Sequence, residues 1–316
     1  MTFKNIFVFL FLAVAGSARI VGQIVPASTH PTNGSVDRAL TVQVLDGARV
    51  QVDAETVIEG GHVAMRRGRI VSVGAGPYVA GAGEPVVVHD ARGMFVYAGL
   101  VDVFSDLGLP AGKRAGWDGK PHYEREDSEA ALAWNAAIRP EFDASANFET
   151  GGARRNALRK AGFGAVLTHR RDGIVRGSGA WVTLAETAAQ AVIMPDAARW
   201  HSFSKGSSQQ SYPSSLMGSI ALLRQTYCDA LWSAQFDRPE ERNLSLEAFN
   251  KASDRPAFFE CSGWQDVLRA DRVGDEFGVQ YTCFDRGDAY QRLEEVAATK
   301  AALVVSLKFP EALDVS

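Results

Sequence analysis

The chain has 316 residues, 46% of them hydrophobic and 22% charged, enough to bury one large core or two modest ones. Its formal net charge is -4 and its Lys and Arg residues are scattered, which excludes the basic field that holds a nucleic acid. Three cysteines, Cys228, Cys261 and Cys283, are too few and too widely spaced for a disulfide scaffold or a zinc ribbon.

At the N-terminus Lys4 precedes an unbroken apolar run, Ile6 to Ala15, followed by small residues suited to cleavage after Ala15 or Ala18. This predicts a secretory leader over residues 1–22 and export to the periplasm or the cell exterior. The competing reading, a membrane anchor, is disfavoured because the run falls well short of the roughly 20 apolar residues that cross a bilayer. No membrane partner is expected. Residues 23–38, rich in Pro, Ser, Thr and Gly, suit a flexible lead-in.

Residues 39–98 read as a small β module. Leu40-Thr-Val-Gln-Val-Leu, Val63-Ala-Met, Ile70-Val-Ser-Val and Val86-Val-Val are β-prone runs bounded by Gly or Asp turns. Arg67-Gly68 between two of them predicts a hairpin, since Gly supplies the positive φ the turn requires.

From Gly99 the pattern changes to short apolar strands alternating with helices, the sign of βα units. Strands are expected near Leu100 to Phe104, Gly164 to Thr168, Ala257 to Cys261, Val279 to Cys283 and Ala302 to Leu307. Helices are expected at Gly152 to Ala161, Ser215 to Phe236, Gly263 to Phe277 and Tyr290 to Thr299. In the second, Leu216, Ile220, Leu223, Tyr227 and Leu231 recur at helical spacing and predict a core stripe. A closed βα barrel takes eight strands in about 250 residues. Residues 99–316 hold about five, so the expected fold is α/β, a small N-terminal β module followed by an incomplete (β/α) barrel. Such a half would need a second half or a partner subunit to cover its edges.

Two segments carry a family resemblance. Val63 to Gly74 fits a Val-x-x-x-x-Gly-x-Ile-x-x-Val-Gly hairpin, and Asp90 to Asp102 fits Asp-x-x-Gly-x-x-Val-x-x-Gly-x-x-Asp, with Ala98 where a Pro is usual. Together they resemble the amidohydrolase superfamily, in which a β-sandwich precedes a metal-dependent TIM barrel. Ser202 to Tyr227, Trp264-Gln-Asp and Asp275-Glu-Phe-Gly-Val-Gln look like larger exported members with two amidohydrolase-like halves in tandem. The resemblance implies a β-sandwich for residues 39–98, a partial TIM-type barrel for residues 99–316 and a second half beyond them. It further implies a divalent metal, zinc, and hydrolysis of an amide-type small molecule at a carbon–nitrogen bond other than an ordinary peptide bond.

In that family the first barrel strand ends Gly-x-x-Asp-x-His-x-His, and a period of two sends both imidazoles to one side to bind metal. Counting from Gly99, Asp102 is present, but the histidine positions hold Phe104 and Asp106. Phe cannot ligate a metal. On later strands, Gln280, Thr282, Val304 and Ser306 occupy the places of a carboxylated Lys or further His. The candidate ligands are Asp106 and His169, the latter following the second strand with Asp172 nearby. The competing reading of His169 is a core or loop histidine, because no second imidazole stands at ligand spacing. His30 falls in the lead-in, His62 and His89 in the β module, His122 in a polar loop and His201 at the surface.

The remaining features read as structural. Gly173 to Gly179 is expected to be a turn, and Ser204-Lys-Gly-Ser-Ser a surface loop whose Ser214 caps the next helix; neither has P-loop spacing. Arg154, Arg155, Arg159 and Lys160 read as a solvated helix face. Asn33-Gly-Ser and Asn243-Leu-Ser match the glycosylation pattern and carry no weight. Cys261 and Cys283 are expected to be buried as small apolar residues, with a bridge between the two strand ends as the alternative. Two functions follow: a metal-dependent hydrolase of carbon–nitrogen bonds, or a non-catalytic half that shapes a cleft for a catalytic one.

Overall fold

The computed structural model describes residues 41–112, 121–123, 131–185, 191–235 and 242–306. The expected leader and lead-in, with His30 and Asn33, lie outside them. The chain divides into two compact units, Met1–Ala98 and Gly99–Ser316.

In the first unit the β-prone runs form β1 (Val42–Gln51), β2 (Val57–Arg66), β3 (Arg69–Ala75), β4 (Val86–Asp90) and β5 (Phe95–Val96). They make one sheet in the order β3-β2-β1-β4, with β5 also paired to β1. The alternation in β1 buries Val42, Val44, Ala48 and Val50 against Val63, Ala64 and Ala91. At the β2–β3 hairpin Arg67 and Gly68 both take positive φ, 52° and 70°. That is the primed turn whose twist matches the flanking strands. Among the described residues this unit is a single five-stranded sheet; the second layer of the expected sandwich is not part of it. His62 ties it internally, bonding the Gly76 carbonyl (2.8 Å) and Ser72 Oγ (2.9 Å), and His89 bonds Gln43.

Among its described residues the second unit holds an open, seven-stranded sheet. Its strands are β6 (Leu100–Ser105), β7 (Phe163–Thr168), β8 (Val175–Thr183), β9 (Val192–Ser202), β10 (Ala257–Cys261), β11 (Tyr281–Asp285) and β12 (Ala302–Val305). Their spatial order is β12-β11-β10-β9-β8-β7-β6. All five expected strands occur, but two further ones, β8 and β9, stand between them. β8 runs antiparallel to both neighbours, whereas the other adjacent pairs are parallel. The helices are α1 (Ala153–Lys160), α2 (Leu216–Ser233), α3 (Leu244–Lys251), α4 (Trp264–Phe277) and α5 (Leu293–Ala298). No helix among the described residues is long and apolar enough to cross a membrane.

The reading of Gly173 to Gly179 as a turn is corrected: Val175 to Gly179 begins β8. The glycines are there because the backbone passes through a tight place. Gly177 has φ 78°, and a Cβ on it would lie 2.2 Å from the Phe142 carbonyl oxygen. One on Gly179 would lie 3.2 Å from the Thr168 carbonyl and 3.3 Å from the Trp200 indole nitrogen. Glycine therefore marks close approach, which composition alone does not separate from a turn.

Three smaller corrections have equally local causes. The cap of α2 is Ser215, whose hydroxyl accepts from the Gly218 amide, and not Ser214. The buried face of α2 is Ser219, Leu222, Leu223, Thr226, Tyr227 and Ala230, while Leu216 and Leu231 are exposed. Thr226 can be buried because its hydroxyl donates to the Leu222 carbonyl at 2.9 Å. Helix α3 was not expected, although Asn243 caps it by accepting from the Leu246 amide.

The two faces of the sheet differ. On one, α2, α3 and α4 pack over Ala257, Phe259, Cys261, Tyr281 and Cys283. Here Cys261 and Cys283 are free, buried thiols, so the alternative of a bridge does not hold, and the neighbouring Cys283 thiol and burial push the Cys261 thiol far up. On the other face Phe104, Leu167, Trp200, Phe258 and Phe284 form an aromatic-rich layer. Expected outcome: Gly177→Ala destabilises by at least about 3 kcal/mol, while Gly68→Ala, with open space around it, costs about 1–2. Urea denaturation checks this, and equal costs would refute the close-approach account.

Candidate functional site

Each strand of the second face alternates, so two residues beyond the aromatic layer a second layer of side chains follows at the C-terminal strand ends. Phe104 is followed by Asp106, Leu167 by His169, Trp200 by Ser202, Phe258 by Glu260 and Phe284 by Arg286. Asp106, Ser202, Glu260 and Arg286 line one cavity of about 480 Å³, together with Arg171, Arg176, Phe203, Ser204, Leu216, Ser262 and Asp266. Its size falls in the range of small-molecule sites.

Glu260 is the hub of this cavity. Its side chain is 7% exposed, and Arg176, at 2%, reaches its Oε2 at 2.6 Å. The Arg286 guanidinium donates to Oε1, its Nε at 3.1 Å, and Arg171 lies 3.8 Å from the same oxygen. Burial pushes the Glu260 carboxyl up, but the attraction of Arg176 and the hydrogen bonds from Arg286 and Arg176 outweigh it and hold the group below the usual carboxylate range. Arg176 is itself fixed, its Nε donating to the Gly173 carbonyl at 2.9 Å.

The other two carboxylates of the cavity have cations of their own. Asp106 is paired with Arg154 of α1, and Asp266 with Arg269 at 2.9 Å. Arg154 is thus not merely part of a solvated face, and Arg155 also has a fixed bond, to the Ala185 carbonyl.

The Ser-rich loop is likewise more than surface. Asp172, paired with Arg170 at 2.7 Å, accepts both the amide and the hydroxyl of Ser207 at 2.6 Å. A Cβ on Gly206 would lie 1.9 Å from that carboxylate, so the glycine lets the loop close onto it. Burial acts to raise the Asp172 carboxyl, and the Ser207 donors and Arg170 reverse it, leaving the group lowered.

The described residues do not fit the zinc site that the resemblance implies. The Phe104 ring stacks flat on Phe284, centroids 3.8 Å apart, with the Arg171 guanidinium 4.3 Å from its centroid. His169 is fully buried, its ring stacked face to face on Trp200 at 3.6 Å. Burial, then Arg176 and Arg171, push its pKa well below 6.5. The same positive charges disfavour a divalent cation beside it. Asp106 is engaged by Arg154, and no group of three or more His, Cys, Asp or Glu among the described residues is placed to hold a metal. His201, expected at the surface, is buried among Tyr227, Phe259 and Tyr281, and burial brings its pKa from 6.5 to about 3.

The cavity residues that the sequence did not point to are Arg171, Arg176, Glu260 and Arg286. One signal was present: Glu260 is a charge inside the apolar run Ala257-Phe-Phe-Glu-Cys, and buried carboxylates demand partners.

No protein-family model matches the chain, and no curated protein sequence does. Among solved structures, the chain is similar to an amidohydrolase from Thermotoga maritima MSB8. The TM-score is 0.63 at 20% identity, covering 86% of this chain and 72% of that one. A prolidase (TM-score 0.38, 13% identity, 84% and 78% covered) and a D-hydantoinase (TM-score 0.28, 12% identity, 80% and 59% covered) also match. The first likeness shows a shared fold.

His169 and His201, the histidines with no exposed surface, contribute to the acid sensitivity. Their folded pKa values are depressed, so below about 6.5 the unfolded chain binds more protons and stability falls as pH falls. The expected loss between pH 6.5 and 5 is up to about 1.4 kcal/mol per pH unit for each histidine. Denaturant titrations of His201→Gln should show a shallower slope in that window, and an unchanged slope would contradict the assignment.

Proposed function

We propose that this protein is a member of the amidohydrolase superfamily that serves hydrolysis of carbon–nitrogen bonds outside ordinary peptides. In this reading the described sheet supports that reaction without holding its metal. The observation that carries it is the place of the motif. Gly99-Leu-Val-Asp102 opens β6, the first strand of a sheet whose fold is similar to the Thermotoga amidohydrolase. The spacing of Val63 to Gly74 and Asp90 to Asp102 supports the same assignment.

What the family does with metal-bound water is to lower the pKa of that water and polarise the scissile carbonyl. Phe104, stacked on Phe284, and Asp106, paired with Arg154, provide for neither. In this reading the described residues supply no ligand set to the metal, zinc by family. Residues 39–98 would form part of a β-sandwich and residues 99–316 part of a TIM-type barrel. The resemblance of Ser202 to Tyr227 to tandem relatives supports a second half, and the leader-like apolar run Ile6 to Ala15 supports a periplasmic or extracellular location. A second reading, a purely structural half, is favoured by Phe104, which stands at the motif position of the first imidazole and stacks on Phe284.

Metal analysis and assays on cyclic amides and N-acylated amino acids test this. In purified protein, His169→Gln and Asp106→Asn should leave the metal content unchanged. Loss of a true ligand lowers metal affinity at least as much as loss of an outer-shell partner, about 10–100-fold. A drop of that size in either variant would overturn the metal-free reading of this sheet. Absence of any carbon–nitrogen hydrolysis by the whole protein would overturn the hydrolase reading and leave the structural one.

A further inference from the structure

We propose that the cavity at the strand ends of the second unit binds a small molecule through an oxyanion, carboxylate or phosphate, held by Arg171 and Arg286 around the Glu260 hub. The inference stands on the cavity itself and does not depend on the hydrolase reading.

Charge bookkeeping gives the sign of the ligand. Three guanidiniums, Arg171, Arg176 and Arg286, converge on one carboxylate, Glu260. The remaining lining carboxylates, Asp106 and Asp266, are compensated by Arg154 and Arg269. The lining groups alone balance, and with the flanking Arg154 and Arg269 counted five guanidiniums stand against three carboxylates, an excess of two positive charges. A dianionic group, a phosphate monoester or a dicarboxylate, matches that excess.

Geometry says which cations reach the ligand. Arg176 is buried and spent on Glu260 and the Gly173 carbonyl. It anchors the hub. Arg286 and Arg171 keep 54% and 36% of their side chains exposed and line the open space. A guanidinium has five N–H donors in a planar fork, so each retains donors beyond its contact with Glu260. The Arg171 fork is held in place by the Phe104 face beneath it. Ser204 and Ser262 belong to the same wall.

Isothermal titration of the whole protein with inorganic phosphate, with succinate and with uncharged glycerol tests the proposal, with no metal added. The expected result is saturable binding of phosphate, succinate or both at a Kd of about 1 mM or tighter, and none of glycerol. Phosphate alone would assign a phosphoryl ligand, and succinate alone a carboxylate. Arg286→Gln and Arg171→Gln should each weaken binding at least about tenfold while the melting temperature stays near that of the parent. Arg224→Gln, which removes an exposed pair with Glu276, should change nothing. The proposal is overturned if neither anion saturates, or if both arginine variants bind as the parent does. Binding is read at equilibrium and hydrolysis by turnover, so either can fail without the other.

Discussion

A carboxylate buried at the end of a strand must be met by cations, and the second unit is arranged around meeting Glu260. Leaving such a charge without its partner costs about 3–5 kcal/mol, so the elements that bring Arg176 to it are under constraint. Arg176 reaches Glu260 from the first residues of β8, a strand inserted between two that would otherwise be adjacent. That insertion brings the backbone of β8 against the Phe142 carbonyl, where only glycine fits at position 177. The reversed strand, the glycines and the buried ion pair are one feature seen at three levels.

Beneath this charged layer lies an aromatic one, and the two together explain the chemistry available. Phe104, Trp200, Phe258 and Phe284 pack with centroids between 3.8 and 5.5 Å, and His169 joins them as a flat neutral ring on Trp200. Packing of this kind replaces coordination. In the family the resemblance points to, the same alternation on the first strand presents imidazoles, whereas here it presents a ring and then a carboxylate already claimed by Arg154. Cations surround the layer, so it favours an anionic guest over a metal ion.

Much of the architecture was legible because it rests on local patterns. Strand positions near Leu100, Gly164, Ala257, Val279 and Ala302 follow from short apolar runs. The Arg67-Gly68 hairpin follows from the φ its turn requires, and the helices at Gly152, Ser215 and Gly263 from their periodicity. What escaped was non-local. The run Gly173 to Gly179 has the composition of a turn, and only the pairing of Val175 to Gly179 with β9 makes that part a strand. His201 has a polar neighbourhood in sequence but is enclosed by Tyr227, Phe259 and Tyr281 from three other elements.

The sequence by itself determined the change from a β module to βα units at Gly99, the family likeness of Asp90 to Asp102, and the loss of both imidazoles at Phe104 and Asp106. Each of these is a matter of residue type at fixed spacing along one segment. Only the tertiary structure decided that Arg171, Arg176, Glu260 and Arg286 form one site. They come from the loop after β7, the start of β8 and the ends of β10 and β11, and only the sheet order brings those strand ends together. Charges scattered over more than 100 residues of sequence carry no local signature of their meeting. The physical reason is that burial and Coulomb attraction act on distance in space, to which a linear pattern has no access.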